Sequence, residues 1–203
     1  ASALAFLWLV RSVWSQRKIE TLFIALLFVV YPGFFQQPNA LTYKQLLLSY
    51  TASLLSLALT VNAVKAEKII VKSLLTVLAV ALGAFYILIY EALVGMEVAR
   101  LLLLWVIFSQ QGKNWKENIR LSLTNAIPYL LFAASFVYWR IFLFESTRKA
   151  TSVEGLVGNF TSLHGLIGLL IEAGKDLVET SLLAWAVPFY QFSNEVDYRD
   201  FGV

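Results

Sequence analysis

The chain has 203 residues, of which 59% are hydrophobic and only 14% charged, and its mean hydropathy is +0.72. So few charges cannot cover that much apolar side chain in water, so a soluble globular domain is excluded and a polytopic helical membrane protein is expected. There is no cysteine and only one histidine, His164, which excludes disulfides, thiolate metal sites and a histidine cluster.

The first residues, "ASALAFLWLV", are apolar and supply about half a span before Arg11. No charged segment precedes them, so they do not read as a signal peptide. Residue 1 is not expected to be the true start, nor Val203 the true end, of the protein. Ile19–Tyr31 forms a short span that could extend to Phe35. Full spans follow at Leu41–Ala63 and Ile69–Tyr90, then near Ala92–Phe108 and Leu121–Phe144. At 1.5 Å per residue, Ile69–Tyr90 and Leu121–Phe144 are each long enough for a hydrocarbon layer of ~30 Å. The pattern gives an all-α bundle of about six spans over residues 1–144. The connecting turns "YPGFFQQPNA" and "QQGKNWKEN" carry the proline, glycine and polar residues that stop helices.

Alternate loops hold the cations. Arg11, Arg17 and Lys18 mark the first, Lys65, Lys68 and Lys72 the second, and Lys113, Lys116 and Arg120 the third. The net charge of +3 therefore matters less than its placement, which predicts that these loops are cytoplasmic, in a bacterial plasma membrane. No nucleic-acid partner and no cofactor are expected. Trp8, Trp14, Trp105, Trp115 and Trp139 fall near the predicted interfaces. Residues 145–203 then lie outside, with Arg148 and Lys149 the discordant pair. Within them Glu172, Lys175, Asp176 and Glu179 recur at three- and four-residue spacing, opposite Leu166, Leu170 and Leu177. This predicts an amphipathic helix over Leu163–Trp185 on the outer membrane surface, with a seventh span as the alternative. Asn159-Phe160-Thr161 matches a glycosylation sequon on the predicted outer side.

Three ionisable residues interrupt the apolar run Ile69–Phe108: Glu91, Glu97 and Arg100. The run is about twice a membrane thickness and must turn, with Gly95 the natural hinge. Glu97 and Arg100, three apart, share a helix face and can pair. One reading is an interfacial ion pair that positions a tight outer hairpin. The other places Arg100 in a water-filled cavity opening outward, where it holds an anionic headgroup or phosphate. The other outer turn adds Gln37, Tyr43 and Lys44, and Arg140 lies one turn before the outer end of its span. Together they make a polar rim suited to a lipid phosphate, a sugar or a docking partner.

The stretch "LAFLWLVRSVWSQRKIETLFIALLFVVYPGFFQQPNALTYKQLLLSYTASLLSLALT" resembles the middle spans of polytopic glycosyltransferases of the GT-C fold class, a class that includes relatives of protein mannosyltransferases and aminoarabinose transferases. The shared pattern is a basic turn at Arg11–Lys18, an outer Pro32–Gly33, polar residues Gln36–Thr42 and a long helix over Leu46–Leu59. It covers roughly the first third of the chain. Where many relatives place an aspartate after the Pro-Gly turn, this chain has Tyr43 and Lys44, so no catalytic residue is carried over. The resemblance implies a lipid-phosphate-linked sugar donor used on the outer side. Arg100 or Lys44 would then neutralise phosphate, and Glu91 or Glu97 would orient an acceptor hydroxyl. A non-catalytic subunit that scaffolds a larger complex through lipids and other membrane subunits is the alternative. A coupled transporter would need more polar groups at mid-span.

Overall fold

The computed structural model describes residues 1–31, 40–144 and 163–186. Every regular element among them is helical. The first four are α1 (Ser2–Val13), α2 (Lys18–Val29), α3 (Ala40–Lys65) and α4 (Ile69–Ile89). A 3-10 turn, Glu91–Gly95, leads into α5 (Met96–Gln110). Then α6 (Trp115–Tyr138) runs into a π turn at Trp139–Leu143. The last helix is α7 (Leu163–Val178), extended by a π turn at Glu179–Leu183.

Four helical stretches are long and apolar enough to cross a membrane: Lys44–Lys65, Ile69–Ile89, Glu91–Gln110 and Trp115–Leu143. About six were expected. The difference lies in α1 and α2, whose 12 residues each rise only about 18 Å. Their apolar side chains still face outward in number, Ile19 and Phe23 among them.

The chain divides into two compact units. The first comprises Ala1–Val29 and Asn39–Leu143, and the second Val30–Pro38 and Phe144–Val203. In the first unit α3 packs against α1, α4 and α5, and α6 against α4 and α5. Lipid tails are as apolar as leucine, so close approach and hydrogen bonds hold such helices together. The contacts follow that rule. Ala5, Leu9 and Val13 of α1 meet Leu54, Leu57, Ala58 and Val61 of α3, joined by Ile107 of α5. Ala52, Tyr86, Ile87, Ala133 and Phe136 form a second cluster, and Leu104, Phe108 and Ala126 a third. Phe28 stacks between Phe6 and Tyr50, which ties α2 to α1 and α3.

Hydroxyls inside the apolar helices bond back to their own backbone. Thr51, Thr76, Ser122 and Ser135 each donate to the carbonyl four residues earlier. These bonds remove a polar cost that lipid cannot relieve. Gly112 (φ 73) ends α5 in the left-handed region, and its N–H bonds Ser109 O at 3.1 Å.

The α4–α5 hairpin turns where the charges predict, but not through Gly95. Gly95 has ordinary helical angles (φ −59, ψ −19), whereas Tyr90 is extended (φ −139, ψ 90). The reversal therefore comes from one extended residue followed by a 3-10 turn, and any L residue fits position 95 conformationally.

In the second unit α7 has the expected amphipathic pattern. Leu170 and Leu177 are exposed on one face, and Glu172, Lys175, Asp176 and Glu179 on the other. Within that unit Tyr31 OH donates to Thr180 O at 2.8 Å, and its ring meets Trp185 edge-on. The sequon at Asn159 lies outside the described residues.

Candidate functional site

The charges of α5 are buried within the bundle. Glu97 is 5% exposed and Arg100 1%, which makes them the only buried charged side chains among the described residues. The expectation of a solvent-facing rim or a water-filled cavity at Arg100 is corrected by its neighbours, because α3, α4 and α6 close around it.

Three residues of spacing let Arg100 fork onto Glu97. Nε donates to Oε2 at 2.7 Å and Nη2 to Oε1 at 3.0 Å. The remaining guanidinium N–H groups turn to α3. Nη2 also donates to Ser56 Oγ at 2.9 Å, while Nη1 donates to Thr60 Oγ1 and, at 3.4 Å, to Ser56 O. All five donors of the guanidinium are thus engaged. Tyr129 of α6 lays its ring face 4.1 Å from Arg100 Cζ, a cation–π contact. From α4, Tyr86 OH donates to Glu97 Oε1.

The α3 hydroxyls are themselves anchored. Ser56 Oγ donates to Ala79 O of α4 at 2.6 Å, and Thr60 Oγ1 to Ser56 O at 2.9 Å. Each passes its proton to a carbonyl and turns its lone pairs to the guanidinium, so the bonds polarise one another in a low dielectric. Charge cancels inside the cluster, and the carboxylate and guanidinium each find several partners. That is the condition under which a buried ion pair is tolerated. The network fastens α3, α4, α5 and α6 at one level.

The other singled-out residues fall elsewhere. Glu91 and Arg140 come together, with Arg140 Nε donating to Glu91 Oε2 at 2.8 Å, but they remain partly exposed. Lys44 is exposed near the start of α3. Gln37 lies outside the described residues, as does the side chain of Tyr43 within α3. Neither Lys44 nor Arg140 touches the buried network through any contact seen among the described residues.

Sequence reasoning missed Ser56, Thr60, Tyr86 and Tyr129. One signal was available. In the apolar stretch of α3 hydroxyls recur at Ser49, Ser53, Ser56 and Thr60, a four-three-four spacing that keeps them on one face. All four are buried.

No phosphate could bind Arg100 without displacing Glu97 or the α3 hydroxyls, so the arrangement works as a lock between helices rather than an open anion pocket. The chain matches no family model, no curated protein and no solved structure.

Proposed function

We propose that this chain is the transmembrane part of an integral membrane protein and serves as a non-catalytic helical module that scaffolds a larger membrane assembly. One observation carries the reading: the only buried charges among the described residues are saturated by their own neighbours. Intramembrane ionisable groups that serve substrate or ion paths commonly face a water-filled cavity. Here such groups are spent on packing, while long apolar faces such as Ile69, Ile70 and Val77 of α4 point outward to lipid or partner helices.

In this reading the three basic turns are cytoplasmic, the apolar stretches of α1 and α2 bring the crossings to about six, and α7 lies on the outer surface. An impermeant outside reagent then labels a cysteine placed at Lys44 but not one placed at Lys116. The reverse result inverts the topology.

The GT-C resemblance offers a second reading, a glycosyltransferase that uses a lipid-phosphate-linked sugar on the outer side. The exposed Glu91–Arg140 pair, with Lys44 at the same end of the bundle, favours it. The deciding experiment offers the purified protein a polyprenyl-phosphate-linked sugar and an acceptor. The scaffold reading expects neither retention nor transfer. Transfer that disappears in Glu91→Gln or Arg140→Gln while thermal stability holds would establish the enzyme instead.

A further inference from the structure

The first unit gathers three basic turns, far apart in sequence, onto one end. Ser12, at the end of α1, ties that end to α3: its hydroxyl accepts from Asn62 Nδ2 at 2.9 Å and its carbonyl accepts from the Lys65 ammonium. The turn from α3 to α4 begins at Lys65 itself. Val13, Val61 and Ile107 share one buried cluster, so the end of α5 and its turn into α6 lie there too. Asn118 Nδ2 fixes that last turn by donating to Ser109 Oγ and to Lys113 O, each at 3.2 Å.

The charge left exposed at this end is mostly positive. Arg11, Arg17, Lys68, Lys116 and Arg120 are all exposed. Acids are fewer: Glu20 and Glu67 are exposed at the same end, and Glu117 is already committed to Lys113 at 3.4 Å. Two indoles stand at the same turns, Trp115 at 61% exposure and Trp14 at 38%. The opposite end carries Lys44 and an Arg140 already paired with Glu91.

We infer that the basic end is a docking face for anionic phospholipid headgroups, with cations from three turns drawing lipid phosphates beneath the bundle and Trp14 and Trp115 seated at headgroup depth. The inference rests on the membrane reading above. Charge complementarity carries it. Exposed cations within a Debye length act together on a negatively charged leaflet, and a zwitterionic headgroup gives them no net charge to attract. Steering the chain during insertion needs only the count of cations in each loop. A lasting lipid preference needs them to converge, exposed and poorly balanced, as they do here.

The test reconstitutes the full chain in symmetric phosphatidylcholine vesicles, so that the direction of insertion does not matter. Brominated phosphatidylglycerol or brominated phosphatidylcholine is added at equal fraction, and quenching of tryptophan fluorescence is read. The expected result is that phosphatidylglycerol quenches as though its local fraction were several-fold above bulk, and that raised ionic strength removes the excess. The triple variant Lys68→Gln/Lys116→Gln/Arg120→Gln loses most of the excess, whereas Lys44→Gln keeps it. Lys68→Arg/Lys116→Arg also keeps it, which separates loss of charge from loss of fold. Equal quenching by the two lipids, or an excess untouched in the triple variant, overturns the inference. A chain that fails to enter vesicles at all overturns the membrane reading beneath it.

Discussion

Glu97–Arg100 and Glu172–Lys175 are the same local device, an acid three residues ahead of a base on one helix, paired at 2.7 and 3.0 Å. Their surroundings separate them. The α5 side chains are 7% and 1% exposed, those of α7 66% and 62%. The first pair has Tyr86, Ser56, Thr60 and Tyr129 around it, while the second stands on the polar face of an exposed helix. Spacing along a helix creates such a pair. Partners brought from other helices decide what it is worth.

The comparison breaks first at Arg100. Arg100→Met strands the Glu97 carboxylate and the α3 hydroxyls inside the bundle, and a loss of about 3 kcal/mol is expected, read as a lower denaturant midpoint in lipid–detergent mixtures. Adding Glu97→Leu to Arg100→Met should restore much of that loss, because no lone charge is then left buried. A double variant as unstable as the two single variants summed would mean that Glu97 and Arg100 are not coupled. Tyr86→Phe comes next. It removes one donor to Glu97 and keeps the ring, and about 1 kcal/mol is expected in the same measurement. Least of all should follow from Glu172→Gln or Lys175→Gln. Screening and side-chain entropy leave an exposed pair worth roughly 0–1 kcal/mol, so the midpoint should hardly move. A large shift there would show that the α7 pair is buried against something when the protein is in its membrane.

Much of the bundle was legible because its signals are local. Run length marked α3 to α6, cation placement marked their turns, and the three-residue offset marked the Glu97–Arg100 pair. Charge spacing likewise outlined α7. Burial of the pair was not legible, because nothing near residue 100 says that Ser56 and Thr60, more than forty residues back, face it. The hydroxyl face of α3 hinted at an interior polar seam, but each of those residues can also satisfy itself on its own backbone, as Thr51 does. Gly95 shows the opposite limit. A glycine near a turn suggested a hinge, and the turn used Tyr90 instead, since a β-region residue followed by a 3-10 turn needs no positive φ.

The order of the network's parts along the chain has a consequence for synthesis. A lone arginine or acid near the middle of an entering helix costs about 2.5–3.5 kcal/mol to insert. Glu97 and Arg100 travel together on α5 and partly cancel that cost between them. The groups that satisfy the rest, Ser56, Thr60 and Tyr86, all leave the ribosome earlier, and only Tyr129 arrives later. Translation from the N-terminus therefore brings the ion pair to a socket whose donors and acceptors have already been made. How efficiently α5 partitions into the bilayer is then set by α3 and α4 as much as by its own residues.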